Sequence, residues 1–297
     1  GVVPELASRA HQKNIIPVID KAIKTAKIKK KDIDLIAYTK GPGLLGSLLV
    51  GSSFAKSLSL ALDVPLVSIN HMKAHILSHF IDHEDQRKPE FPFLCLTVSG
   101  GHTQIVIVRN FDNMEIIGTT LDDAAGEAFD KSAKVLGLKY PGGPLIDKFA
   151  KMGDINAFTF GKPKIKDLNF SFSGLKTSIM NKINSSLMND PEFINSNLND
   201  LCASIQYSIV TILLDKIKQA INITKIKNIA IAGGVSANSY LRKELISLST
   251  KENLNIYIPK FEFCTDNAAM IAISGKYKYL NNEIADYSES ANARLSF

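Results

Sequence analysis

Two imidazoles four residues apart set the first chemical possibility in this 297-residue chain. His71 and His75 stand in the run His71-Met72-Lys73-Ala74-His75. On a helix that spacing stacks both side chains on one face, a bite suited to a divalent ion. The same pair would also suit an ordinary helix surface or core. No glutamate adjoins either histidine, so the HExxH arrangement that gives zinc peptidases their general base is absent. His79 continues the same face and could supply a third ligand, although the run is expected to leave it at the solvent end of the helix. A two-histidine site needs another donor. Asp266, in Phe263-Cys264-Thr265-Asp266-Asn267, is the candidate, and it also suits the cap of the helix it opens. Two histidines and one carboxylate leave coordination positions open and suit iron(II) or zinc.

Carboxylates and glycine turns form a second group. Asp122, Asp123, Glu127 and Asp130 surround a helix start. The first two match the positive end of that helix. Asp130 lies further in, flanked by apolar residues, where it could hold a ribose or other donor hydroxyl. Tyr140-Pro141-Gly142-Gly143-Pro144 is a loop apt for close backbone approach, with Asp147 in the helix turn that follows. Ser171, Ser173 and Thr177, among Phe170 and Phe172, could touch a base or a partner, or simply begin a helix. Two apolar strands end in glycine turns that open helices, at Gly41-Pro42-Gly43 and at Gly233-Gly234. Such turns can bring backbone N–H groups to a phosphate, but glycine also serves turn geometry alone. The P-loop, GxGxxG and GxSxG patterns are absent, and no Ser-His-Asp triad is assignable from spacing.

An alternation of strands and helices must position these groups. Spacing predicts an amphipathic helix over 11–28, despite Pro17. A strand is expected over 32–39, a buried helix over 44–62, a strand over 64–69 and a helix over 71–81. The polar stretch 82–90 reads as a linker, dividing the chain into lobes 1–90 and 91–297, with the final helix able to pack back on the first lobe. Strands over 93–98 and 104–108 flank the turn Ser99-Gly100-Gly101-His102-Thr103, and a third covers 114–119. Helices are expected over 123–136, 144–152, 174–188 and 197–222. A strand over 228–232 then meets Gly233-Gly234, with a helix from Ser236, a strand over 256–258 and a closing helix from Asp266. The whole is the grammar of α/β sheets covered by helices.

Composition narrows the class. Hydrophobic residues at 45% and charged residues at 22% support a buried core and exclude a disordered chain. The apolar runs are expected to fall short of the roughly 18 residues of a membrane span, so no membrane partner is expected. No signal-peptide pattern follows Gly1. Cys95, Cys202 and Cys264 are far apart and form no CxxC pair, which argues for a reducing compartment. A net charge of +6 permits a polyanionic partner.

Nine segments together resemble one family. They are Gly1-Val2-Val3-Pro4-Glu5-Leu6-Ala7-Ser8-Arg9, Gly41-Pro42-Gly43-Leu44, the His71 to His75 run, Val98-Ser99-Gly100-Gly101-His102-Thr103-Gln104, Asp122 to Lys131, Tyr140 to Pro144, Phe170 to Thr177, Ala232-Gly233-Gly234-Val235-Ser236-Ala237-Asn238 and Cys264-Thr265-Asp266-Asn267. Nearly end to end they are similar to the bacterial TsaD family, the tRNA N6-adenosine threonylcarbamoyltransferases, once named sialoglycoprotein endopeptidases. The resemblance implies an actin/sugar-kinase/Hsp70-like fold of two lobes around a nucleotide cleft. It implies transfer of a threonylcarbamoyl group from threonylcarbamoyl-AMP to N6 of the adenosine beside the anticodon, in tRNAs reading codons that begin with A. It implies one divalent metal on His71, His75 and Asp266, iron(II) before zinc, and donor contacts from Thr97, Val98, Ser99, Gly100, Gly101, Asp130, Gly143, Asp147 and Asn238. His102, beside the donor turn, is the candidate proton-transfer group. TsaB and TsaE homologues are the implied partner subunits, with TsaC making the donor upstream, and the cytoplasm is the implied location.

Family members begin roughly 40 residues earlier. The expectation is therefore a first lobe short of its opening strands and a chain poorly active alone. Three other readings stand beside the transferase. A metallopeptidase rests on the histidine pair alone. A non-catalytic nucleotide-binding scaffold would be expected to lack the metal ligands. A small-molecule kinase of the same fold has no sugar-binding signature in this sequence.

Overall fold

The computed structural model describes residues 3–163 and 165–297. Gly1 and Val2, which open the first family-like segment, lie outside the described residues. The chain forms two compact units, one of residues 1–83 with 267–297 and one of residues 84–266.

The first unit begins with α1 (Pro4–Ala26), which starts earlier than its apolar spacing predicts. Pro4 occupies the first helical turn, where its missing N–H would have had no helical partner in any case. β1 (Ile36–Gly41) and β2 (Leu66–Asn70) pair in parallel, Ile36 opposite Leu66. The connection between them is α2 (Leu45–Leu62), as parallel strands require. The expectation of a buried α2 fails. Only Leu48, Ser52, Ala55 and Ser59 are buried, while Leu45, Leu49 and Leu60 are exposed. Its 18 residues are also long and apolar enough, by length and composition, to cross a membrane. That departs from the expectation that no run reaches such a length: Lys56 is the helix's one charged residue, and serines supply its other polar positions.

α3 (His71–Leu77) is shorter than predicted because the chain tightens into a 3-10 turn at Ser78–Phe80. That turn carries His79 into the interior, where it is fully buried. The expectation of a solvent-facing His79 is thereby corrected.

The second unit is built on a five-stranded sheet. β3 (Phe93–Val98), β4 (Thr103–Val108) and β5 (Met114–Thr119) form an antiparallel meander. The helices α4 (Ala125–Val135), α5 (Gly142–Ala150), α6 (Ser173–Leu187) and α7 (Phe193–Thr224) follow. β6 (Asn228–Ala232) then pairs in parallel with β3. A 3-10 turn at Gly234–Ala237 leads into α8 (Ser239–Glu252). β7 (Asn255–Tyr257) pairs in parallel with β6 and precedes the four-residue α9 (Phe261–Cys264). The strand order is β5-β4-β3-β6-β7. β3 is buried along its whole length. Its Leu94 and Leu96 share a core with Ile229 and Ile231 of β6 and Ile205, Ile209 and Leu213 of α7.

The chain re-enters the first unit at Asn267, whose side chain accepts the Met270 N–H at 2.9 Å and caps α10 (Ala268–Leu280). The last residues then run along the unit. Ala285 N donates to Leu66 O (2.7 Å) and Asn292 N to Lys40 O (2.8 Å). The Glu289 carboxylate accepts Lys40 Nζ (2.8 Å) and Ser68 Oγ (2.9 Å). A side chain at Gly41 would collide with the Asn292 carbonyl. The close backbone approach that the Gly41 turn suggested is therefore made by this terminal segment.

Asp122 does not serve the helix it precedes. Its carboxylate accepts Ser171 Oγ (2.5 Å), Phe172 N (2.8 Å), Ser173 Oγ (2.7 Å) and Ser173 N (3.3 Å). It thus caps the start of α6, some 50 residues on. Desolvation raises its carboxyl, but the bonds from Ser171, Phe172 and Ser173 outweigh that and hold it below the ordinary range. A carboxylate depressed by folding stabilises above its unfolded pKa, and that contribution is lost as pH falls through the lower folded value. Asp122→Asn should therefore lower the thermal midpoint at pH 7, with the gap to wild type closing as pH is taken down from 7 to well below the ordinary carboxylate pKa of about 4. A gap unchanged across that range in melts followed by circular dichroism would refute the cap.

Candidate functional site

The local sequence around the histidines makes a short, well-started helix. Asn70 caps α3, its Oδ1 accepting Met72 N (2.9 Å) and Lys73 N (3.2 Å). His71 is thus the first helical residue and His75 lies one turn later. Their ring centroids are 4.7 Å apart and nearly perpendicular, at 85°. His75 is buried and His71 half-buried. α10 packs on α3 inside the first unit, and Asp266 is the residue just before the α10 cap. Capping belongs to Asn267, which removes that duty from Asp266. One ligand atom each from His71, His75 and Asp266 all lie within 4.8 Å of one another. Donors bound about 2.1 Å from one ion lie about 3–4 Å from each other. The donor set suits one divalent cation, and any pair near the 4.8 Å limit would draw together on binding it. His79 does not belong to this group.

The donor residues implied by the resemblance all lie in the second unit. Thr97 is buried, its Oγ1 donating to Gln104 O (3.3 Å), and Val98 is buried in the core. These two carry the turn, and its open part begins at Ser99. Ser99 Oγ accepts His102 N (3.1 Å) and Gly101 N (3.4 Å), and Ser99 N donates to His102 O (2.9 Å). Gly100 and Gly101 are exposed, and a side-chain carbon added at either would meet nothing within 4 Å. His102 is half-buried at the base of this turn.

Two other chain segments close against it. Gly233, at φ +88°, ends β6, and a Cβ there would stand 2.5 Å from Val98 O. Only glycine combines that backbone with that approach. Gly126 N donates to Ser99 O (3.1 Å) and Ala125 N to Thr103 Oγ1 (2.8 Å). The Ser99 turn, the Gly233 turn and the first turn of α4 thus meet at the carboxyl ends of β3 and β6, where open α/β sheets bind ligands.

The remaining polar groups hold helix starts. Asp130 Oδ1 accepts Gly142 N (2.7 Å) and Gly143 N (3.3 Å), so α4 caps α5. Asp147 Oδ1 accepts Ser239 Oγ (2.7 Å) and Ser239 N (3.2 Å). Asn238 Oδ1 caps α8 through Leu241 N (2.9 Å), while its Nδ2 donates to Gln206 Oε1 (2.7 Å). Asp130 and Gly143 are thereby joined, and Asp147 and Asn238 meet around Ser239. Gln206, Ser239 and Thr103 are members that sequence reasoning missed. The signal for Gln206 was an amide within a mostly apolar run of α7, flanked at two-residue distance by the buried Ser204 and Ser208. Elsewhere in this unit, burial pushes the Cys95 thiol up, and pushes that of Cys202 up to about 12. Neither is a nucleophile at neutral pH.

Comparisons with known proteins bear on this geometry. A family model described as TsaD, tRNA N6-adenosine threonylcarbamoyltransferase, matches residues 1–273. A protein of that name from Christiangramia forsetii is 60% identical over 297 residues, which is 100% of this chain and 87% of the relative. Another from Riemerella anatipestifer is 57% identical over 294 residues, 99% of this chain and 86% of the relative. Among solved structures, HypF of T. kodakarensis is similar with a TM-score of 0.63 at 15% identity, covering 91% of this chain and 43% of that one. Full-length HypF in its phosphate- and nucleotide-bound form gives 0.59 at 15% identity, covering 89% of this chain and 41% of that one. These likenesses place the chain in the actin-like α/β fold class that the sequence suggested. On the sequence matches, the chain belongs to the TsaD family of tRNA N6-adenosine threonylcarbamoyltransferases.

Proposed function

We propose that the chain transfers a threonylcarbamoyl group from threonylcarbamoyl-AMP to N6 of the adenosine beside the anticodon, in tRNAs reading codons that begin with A. One observation carries the catalytic part of this reading: His71, His75 and Asp266 present donor atoms within 4.8 Å of one another in a chain of this family. The relatives' shared name supports a transferase and lends nothing to a peptidase or a scaffold.

His71, His75 and Asp266 would hold one divalent cation, iron(II) before zinc. Bound there, it supplies positive charge for the donor's carbonyl and phosphate oxygens. The rest falls to the chain. Ser99, Gly100 and Gly101 form the open turn that receives the donor adenylate, which Thr97 and Val98 hold up from the sheet. Asp130, Gly143, Asp147 and Asn238 fix the helix starts that frame it. Adenine N6 attacks the carbamoyl carbon, the bond from that carbon to the phosphate oxygen breaks, and AMP leaves. The proton lost from N6 passes to a base, for which His102 is the candidate.

A net charge of +6 supports a tRNA substrate. TsaB and TsaE homologues are the proposed partner subunits. Support for a protein partner comes from α1 and α2, which pack on each other yet leave Leu6, Ile16, Val18, Leu45, Leu49 and Leu60 exposed. The buried, unbridged cysteines agree with a cytoplasmic location.

The test is transfer to tRNA by the purified protein with its partner subunits. His71→Ala should lose metal and transfer together while the thermal midpoint of the metal-free protein stays near wild type; full transfer by metal-free protein would contradict the reading. Gly101→Val has room in the fold, so its midpoint should hold. Its side chain should enter the donor turn and raise the donor KM about tenfold, equivalent to about 1.4 kcal/mol of lost binding. An unchanged donor KM would remove the turn from the site.

A further inference from the structure

The short connection that delivers Asp266 has almost no structure of its own. After β7 the chain passes through residues 258–260 into α9, which is four residues long and has no side-chain cap. Only Thr265 and Asp266 then separate Cys264 from the α10 cap at Asn267. The direction in which Asp266 leaves α9 therefore depends on what grips the two ends of this segment.

One side chain grips both. Arg242, on α8, donates from Nη2 to Pro259 O at 2.8 Å, ahead of α9, and to Cys264 Sγ at 3.0 Å, its last residue. Its Nε donates to Ser236 O at 2.7 Å in the 3-10 turn before α8. The guanidinium carbon lies 3.9 Å from the centroid of the Phe261 ring, so the first residue of α9 is stacked on the same group. Cys264 is buried, and its thiol donates onward to Lys260 O at 3.3 Å. The planar guanidinium fork holds its donors at fixed angles and stacks on a ring, a combination that an ammonium group cannot reproduce.

We propose that Arg242 is a positioning residue for the metal site: by clamping Pro259, Phe261 and Cys264 against the start of α8, it sets where the Asp266 carboxylate stands relative to the two histidines. This rests on the reading of His71, His75 and Asp266 as metal ligands. Arg242 is not one of the three donor residues and would act through Asp266. Supports behind a metal ligand of this kind are worth about 10–100-fold in metal affinity.

The experiment is zinc(II) binding by the full chain, measured in competition with a chromophoric chelator, on a double-mutant cycle of Arg242→Lys and Asp266→Asn. Arg242→Lys should weaken zinc binding about tenfold in the wild-type background. In the Asp266→Asn background the same change should cost less than about twofold, because the ligand it positions is already lost. Wild-type affinity in folded Arg242→Lys, or an equal loss in both backgrounds, overturns the clamp. Should Arg242→Lys fail to fold, Cys264→Ala removes one contact of the clamp and should show a smaller loss with the same dependence on Asp266; no loss overturns the proposal. Wild-type protein that binds no zinc sinks the metal reading and the clamp with it. Zinc binding that falls in His71→Ala and Asp266→Asn but not in the clamp variants sinks the clamp alone.

Discussion

Leu94 lies opposite Ile229 and Thr97 opposite Ala232 in parallel register, and the arrangement of the second unit follows from that pairing. It brings two strands to an end side by side, each with a glycine in the turn that follows. Gly233 can leave β6 within reach of the Val98 carbonyl only because it has no side chain. Gly126 gives α4 the same access to Ser99. A slip of one residue between β3 and β6 would move every side chain to the opposite face of the sheet, and the open turn at Gly100 and Gly101 would lose its floor. Burial of β3 along its whole length makes that slip costly.

Around the strand ends the polar residues do two kinds of work. Asp130, Asp147 and Asn238 each satisfy N–H groups at the start of a helix, groups that have no partner within the helix itself. Their oxygens are therefore fixed by the fold before any ligand arrives, which is the preorganisation that transfer chemistry needs. It also means that removing one of them would disturb a helix start and the proposed donor site at once. Asn238 is the extreme case. It is buried, and its loss would strand the buried Gln206 carbonyl, at a cost of about 1–3 kcal/mol. Gly100 and Gly101, with open space beside them, report on the site without that confusion.

Much of the second unit was legible in sequence because its strands are short apolar runs bounded by turn residues. β3, β5 and β6 begin and end where periodicity places them. The glycine turns were equally plain. What escaped notice depends on contacts between distant residues. The periodicity of α2 gave no hint of how little of it is buried, since an apolar stripe looks the same facing a core or facing solvent. His79 is buried because α3 tightens after Leu77, a change that no spacing announces. Asp122 caps a helix that begins at Ser173, and Gly41 makes room for Asn292; neither partner could be named from local sequence. The proposed metal set shows the same division. Residue types and the four-residue spacing nominate His71 and His75, whereas Asp266 became more than one acid among many through the family resemblance and its short distance to both.

The central claim is that this chain modifies adenosine in tRNA, and nucleoside mass spectrometry of tRNA from cells depleted of the protein tests it most directly. Depletion should remove N6-threonylcarbamoyladenosine, and restoring the protein should bring it back, whereas restoring His71→Ala should not. Undiminished N6-threonylcarbamoyladenosine after depletion would contradict the account.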